Sequence, residues 1–358
     1  MLIANAARHG LSYVREREAG VTPENPAMRR LRHTSCALNL SRDSFTSEEK
    51  RQDRQISDVR TGTDKVAGSI GFEWSFGEYD ELLEACFAGQ WENDQLKTGT
   101  RSISFTVERE FADIGQFVRY RGCYVNKLSL SVKPNAMLTG SFDIVGLAGE
   151  TAEAPLALAP LPSRTHAPYD SYLGELTEDG LPIAVITGLD VSLDNGITPQ
   201  FVLFRRSAPF VSWGRSSVTG TMTAFFESIR LVRKFLDESP ARLEITIGGP
   251  EDNRYTLVLP RVRYTGADVP VDADGPLSLT MPFSAVLDPQ SGTNCILRRH
   301  RWLDTQAPRP LSLSPSSGAA GVNRRAFLTA LFSEPVQAGR GSVTISDGAG
   351  DVRTVPVA

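Results

Sequence analysis

Ser35-Cys36-Ala37-Leu38-Asn39-Leu40, then Gly68-Ser69-Ile70-Gly71-Phe72-Glu73-Trp74-Ser75-Phe76-Gly77, then Glu78-Tyr79-Asp80-Glu81-Leu82-Leu83-Glu84-Ala85-Cys86-Phe87-Ala88 belong to one stretch, Thr34 to Gly89. The first two segments alternate between apolar and small or polar residues, the period of a β-strand. The third places Tyr79, Leu82, Leu83, Cys86 and Phe87 on one helical stripe. Glu78, Asp80 and Glu81 fall in its first turn, where the helix dipole favours carboxylates. The stretch therefore reads as strand, long loop, strand, helix, with the helix covering one face of a sheet.

The connection from Arg42 to Lys65 is longer than an ordinary hairpin turn and too polar for a buried strand. It reads either as solvated surface or as a protruding loop that pairs charges with another subunit. On the second reading its contact residues are Glu48, Glu49, Arg51, Asp53, Arg54, Asp58 and Arg60.

Moving outward, residues 1–33 carry Arg15-Glu16-Arg17-Glu18 and the breaker Thr22-Pro23-Glu24-Asn25-Pro26, and read as an arm rather than a core. After the helix come alternating runs at Arg101–Arg109, Phe117–Val125, Lys127–Val132 and Met137–Gly146. These predict an antiparallel sheet with one covered face. An Ala/Pro-rich segment, Ala154-Pro155-Leu156-Ala157-Leu158-Ala159-Pro160-Leu161-Pro162, predicts an extended linker.

Beyond the linker the order returns: Gly188–Leu193, a loop, Ser217–Phe225, a second amphipathic helix over Ser228–Glu238, then strands at Arg242–Ile247, Tyr255–Tyr264 and Leu277–Val286. In the second helix Ile229, Val232 and Leu236, with Leu231 and Phe235 beside them, form the expected apolar side. Leu38 and Gly68 are 30 positions apart, and Leu189 and Gly220 are 31 apart. Matching order and spacing suggest a duplicated unit. The expected division is an arm over 1–33, a first unit over 34–150, a linker over 151–180, a second unit over 181–300, and a C-terminal piece over 304–358.

The 358 residues, 41% hydrophobic and 22% charged, suit a folded chain of two or three domains. A net charge of -4 provides no global basic field for nucleic acid. No apolar run approaches the roughly 20 residues of a membrane helix, and the start of the chain is too weakly apolar for a signal peptide. Cys36, Cys86, Cys123 and Cys295 are scattered and are expected to be reduced. His9, His33, His166 and His300 show no metal-ligand spacing, and no phosphate loop, dinucleotide fingerprint or nucleophile elbow occurs. Val271-Asp272-Ala273-Asp274-Gly275 starts like a calcium loop but lacks the closing Glu, and reads as a tight turn. No catalytic, cofactor or metal site is expected, and the chain does not read as an enzyme.

Two resemblances follow. The run Tyr13-Val14-Arg15-Glu16, Gly20, Thr22-Pro23, Leu31-Arg32, then Asp53-Arg54-Gln55-Ile56-Ser57-Asp58-Val59-Arg60, Gly68, Ile70, Phe72-Glu73 and Gly77, Tyr79-Asp80, Leu82-Leu83-Glu84-Ala85 resembles the tail tube proteins of long non-contractile-tailed bacteriophages. It is clear over roughly the first 150 residues and weaker over the next 150. The stretch Leu311 to Ile345, with Pro315-Ser316-Ser317-Gly318-Ala319-Ala320-Gly321-Val322 and Phe332-Ser333-Glu334-Pro335-Val336, resembles a bacterial Ig-like module. About half of a usual Ig sandwich is present.

The first resemblance implies a mainly β fold with a few helices: β-sandwich or barrel units of two packed antiparallel sheets plus a flanking helix. It further implies a structural virion protein of the tail, made in the host bacterial cytoplasm. Its partners would be further copies of itself, in rings stacked into a tube, together with other tail proteins. The tape measure protein and DNA would occupy the lumen transiently. Two units per chain would give three-chain rings with pseudo-six-fold symmetry, against an alternative of six chains. A different class, a surface module recognising carbohydrate or a receptor, would need an exposed aromatic groove. Trp74, Trp91, Trp213 and Trp302 are too dispersed to argue for one.

Overall fold

The computed structural model describes residues 3–183, 185–249, 253–271, 275–301, 309–316, 318–322, 327, 329–332, 341–346 and 350–357. It forms two compact units, Met1–Trp302 and Leu303–Ala358.

The larger unit is almost all antiparallel β. Its first elements are a 3-10 turn at Ala6–Arg8, β1 (His9–Arg15), β2 (Arg29–Arg30), β3 (Ser35–Cys36), β4 (Asn39–Thr46), β5 (Val59–Glu73), α1 (Asp80–Cys86), β6 (Gln95–Lys97), β7 (Phe105–Phe111), β8 (Gln116–Val132), β9 (Thr139–Gly146) and β10 (Ala148–Ala152). There follow β11 (Gly174–Glu178), β12 (Leu181–Pro182), β13 (Ile186–Asp194), β14 (Thr198–Gln200), β15 (Phe210–Ser212), β16 (Ser217–Phe225), α2 (Arg230–Leu236), β17 (Ala241–Ile247), β18 (Arg254–Tyr264), β19 (Ser278–Ala285) and β20 (Ile296–His300).

The 17-residue β8 is the pivot. Its first half pairs with β7 and β10, and its second half pairs with β9 and β13. Between the halves Gly122 takes φ 61, and a Cβ there would lie 2.6 Å from Leu147. Glycine is required at that bend. A small sheet, β2–β1–β7–β8–β10, thus shares a strand with a large one, β4–β5–β9–β8–β13–β16–β19–β18. β18 turns the same way. It pairs with β20 as far as Val258, with β17 through a bulge to Val262, and with β19 from Val262, with Pro260 at the irregularity. Proline has no N–H to offer a ladder and is tolerated at such an irregularity. The pairing order β4–β5–β9–β8 recurs as β13–β16–β19–β18, and β1–β7–β8 recurs as β11–β17–β18. Among the described residues no sheet closes into a barrel.

One apolar core runs through both halves. Phe72 stacks on Phe142 at 4.6 Å and meets Tyr79 at 4.4 Å, while Trp74 lies 5.3 Å from Tyr255. α1 adds Leu82, Leu83, Ala85 and Cys86, all buried. Each such aliphatic or aromatic side chain contributes about 1.5–3 kcal/mol. The four cysteines are free thiols, and burial pushes those of Cys86, Cys123 and Cys295 upward in pKa.

Several expectations are corrected. The segment read as an arm contains β1, with Leu11 and Tyr13 buried, and Met28 and Leu31 are buried as well. Glu16 anchors it: its buried carboxylate accepts from Ser104 Oγ (2.7 Å), Thr106 Oγ1 (2.8 Å) and the amides of Gly20 (2.8 Å) and Gly122 (2.9 Å). A buried charge is tolerated when it is this fully hydrogen-bonded. The segment read as a linker ends in β11, paired with β17. The long loop is shorter than expected, since β4 runs to Thr46 and β5 starts at Val59. The runs read as separate strands at Phe117–Val125 and Lys127–Val132 are the single strand β8. In α2 only Leu231 is buried, and Ile229 and Leu236 are 59% and 68% exposed, because the helix meets the core along one edge. Asp272, Ala273 and Asp274 of the expected tight turn lie outside the described residues.

The smaller unit contains two hairpins among its described residues, β21 (Pro310–Ser314) with β22 (Thr329–Phe332) and β23 (Gly341–Ser346) with β24 (Val352–Val357). Much of the stretch expected to be Ig-like lies outside the described residues.

Candidate functional face

Alternation along the strands of the large sheet sends one set of residues inward and the other to the opposite face. Directly paired residues on antiparallel strands share a face. One inward row is Ile70, Phe142, Leu128, Leu193, Val218 and Ala285. The adjacent outward rows are of another kind. One reads Ser141, Ser129, Ser192, Thr219, Ser284 across five strands. The next reads Thr139, Ser131, Asp190, Thr221. A third reads Ser69, Asp143, Lys127, Asp194, Ser217.

This face is concave, with an open groove of about 650 Å³ at its centre. Its residues come from both halves of the unit, and the β8–β13 ladder crosses its middle. It carries the carboxylates of Glu73, Asp143, Asp190 and Asp194 against the cations Lys127 and Arg263. Burial raises the pKa of Asp143, Lys127 opposes the rise and Asp194 adds to it. Short neutral hydroxyls with a small acidic excess hold water but do not grip phosphate. The face has no nucleophile–base pair, and no group of three or more His, Cys, Asp or Glu suited to a metal occurs among the described residues. No helix there is long and apolar enough to cross a membrane.

The contact residues predicted from sequence are gathered at the exposed tip of the β4–β5 hairpin. Arg51 pairs with Asp53 at 2.7 Å and Arg60 with Asp58 at 2.6 Å, all within the tip. Hydrogen bonds from Arg51 hold the Asp53 carboxyl below the usual range. Glu48, Glu49 and Arg54 are exposed beside them. Ion pairs Arg42–Asp64 (2.5 Å) and Lys65–Asp43 brace the base of the hairpin. Surface pairs of this kind contribute little to folding.

Sequence reading missed two features. One is the hydroxyl face: its signal was that the polar half of each alternation is Ser or Thr rather than Lys or Glu. The other is the β14–β15 hairpin, which lies between β13 and β16 where the charged tip lies between β4 and β5. Its Ile197 and Ala208 are buried with Tyr124 and Leu147, and Phe201, Val211 and Trp213 pack against them.

No curated protein matches the chain. A family model described as "Phage tail tube protein" matches residues 6–285. That span contains every strand of the hydroxyl face, and the chain belongs to the phage tail tube protein family.

Proposed function

We propose that the protein is the subunit of a phage tail tube, that it polymerises into stacked rings, and that the hydroxyl face of the large sheet lines the channel through which DNA leaves. The observation that carries this is the make-up of that face: Ser141, Ser129, Ser192, Thr219 and Ser284 form one unbroken row over strands of both halves. A conduit has to let a polyanion slide. A basic lining would form salt-dependent phosphate contacts and retard it. A sheet open at both ends in one chain is a liability unless other copies cover its edges.

The recurring strand order favours two tube units per chain, hence three chains per ring with pseudo-six-fold symmetry. A reconstruction with six chains per ring would exclude this. The charged tip around Arg51, Asp53 and Arg54 is assigned to contacts with neighbouring subunits or rings. The tape measure protein before ejection and DNA during it are the lumen's occupants, and the smaller C-terminal unit decorates the tube. Electron microscopy of the purified protein tests the reading. Tubes or stacked rings support it, and a persistent monomer at high concentration overturns it.

A further inference from the structure

Two small sheets of the large unit are built alike, β1–β7–β8–β10 and β11–β17–β18–β20. Each sends alternate residues into the core and the others to an outer face. The outer face of the first sheet is covered by the Ala/Pro-rich segment that follows β10. Arg119 donates to the Ala154 carbonyl, the Glu108 carboxylate accepts from the Leu156 amide at 3.0 Å, and the Leu161 amide donates to the Met28 carbonyl at 2.7 Å. A guanidinium and a carboxylate on neighbouring strands thus hold a crossing peptide by its backbone.

The matching face of the second sheet is an open groove of about 720 Å³. Register places Glu175, Thr246, Thr256 and Arg298 in one row across its four strands, and Arg254 opposite His300 in the next. Charge is divided along the groove. Arg254, Arg298 and His300 lie at the β18–β20 end, and Glu175 and Glu244 lie at the β11–β17 end, with Arg242 donating to Glu244 at 2.7 Å. Burial, then Arg254, then Arg298 push the His300 imidazole below its ordinary pKa, against an opposing pull from Asp94. Arg298 is the anomaly. It is half-buried, and its Nε is fully enclosed with no hydrogen-bond partner. A buried donor without an acceptor is a cost to the fold, and such a group calls for an explanation. An acceptor that arrives from outside supplies one.

We infer that this groove docks an extended peptide of another protein, with a side-chain carboxylate of the peptide seated on Arg298 and its backbone crossing toward Glu175. A nucleic acid fits the groove less well. Its phosphates repeat a negative charge along the whole strand and would meet Glu175 and Glu244. A peptide offers a carboxylate at one end and amide donors at the other, and the covered face of the first sheet already receives one. The groove shares no residue with the hydroxyl row, so the inference stands apart from the tube reading.

The test uses the full chain and two measurements. The probe is a synthetic peptide with the sequence Ala152–Pro160, which combines prolines with the carboxylate of Glu153, labelled with a neutral dye and followed by fluorescence anisotropy. Saturable binding is expected at low salt, weakened about tenfold or more by Arg298→Gln in the protein or by Glu153→Gln in the peptide. Absence of binding, or binding indifferent to both changes, overturns the site. A DNA single strand or inorganic phosphate that binds as tightly as the peptide and depends equally on Arg298 overturns the choice of a peptide. Loss of self-association in Arg298→Gln, read by sedimentation, assigns the groove to a second copy and overturns it as well. The second measurement needs no ligand. If Arg298 serves a partner rather than the fold, Arg298→Met leaves the thermal midpoint of the free protein equal or higher. A lowered midpoint assigns Arg298 to the fold and overturns the inference.

Discussion

Tyr255 is the side chain whose alteration reports most directly on whether the two halves of the large unit fold as one. It lies on β18 with no exposed surface, yet its hydroxyl reaches into the first half. It donates to Asp80 Oδ1 on α1 at 2.5 Å and accepts from the Gly77 amide at 3.0 Å. Tyr255→Phe removes only the oxygen. Asp80 keeps Arg299 at 2.5 Å, but the buried Gly77 N–H loses its acceptor. An orphaned buried donor costs about 1–3 kcal/mol, and a hydrogen bond to a carboxylate contributes about 1.5–3 kcal/mol. With Arg299 still compensating Asp80, the expected loss is about 2–4 kcal/mol. The assay is urea unfolding followed by tryptophan fluorescence, since Trp74 and Trp91 lie 5.3 and 6.3 Å from the Tyr255 ring. The midpoint of the whole transition should fall with the slope unchanged. Tyr172→Phe, at a residue 72% exposed whose hydroxyl donates to Asn135 Oδ1 at the surface, serves as control and should change stability by less than about 0.5 kcal/mol. A Tyr255→Phe cost as small as the control's, or a shift confined to one of two separate transitions, would refute the shared core.

Three further outcomes are expected. His9 touches His33 Nε2 and Arg109 (2.8 and 3.0 Å), and burial, then Arg109, then His33 lower its pKa to about 4. Because the folded value lies below the unfolded 6.5, its contribution is complete above about pH 6.5 and is lost as pH falls toward 4. His9→Asn should flatten the decline in urea midpoint over that window. At Gly220 an added Cβ would stand 2.3 Å from Phe283 Cζ and 2.5 Å from the Asp190 carbonyl oxygen. Gly220→Ala should therefore cost about 1–3 kcal/mol by thermal unfolding, and a stabilised variant would contradict the tight packing. Reversing the charges of Arg51, Asp53 and Arg54 at the exposed tip should leave circular dichroism unchanged but shorten tubes; tubes of normal length would return the tip to plain solvated surface.

Where local pattern decides the outcome, sequence and structure agree. β17 and β19 bury every second residue, as Arg242–Ile247 and Leu277–Val286 predicted, and α1 buries Leu82, Leu83 and Cys86 of its expected stripe. The differences arise where distant partners decide. β1 follows no stronger a pattern than a loop, and its position depends on Glu16 meeting donors 88 to 106 positions away. α2 has the periodicity of a packed helix but few neighbours to pack against, so Ile229 and Leu236 stay in solvent. The hydroxyl face was visible strand by strand as alternating Ser and Thr. That five strands from both halves align them in one row is a matter of register, which a single strand does not encode.

A reconstruction of tubes grown from the purified protein, at a resolution that traces strands, tests the central claim most directly. The account predicts that Ser129, Ser141, Ser192, Thr219 and Ser284 face the axial channel in every subunit, with α1 outside them. A channel lined by other residues, with that row turned outward or buried between rings, would contradict it.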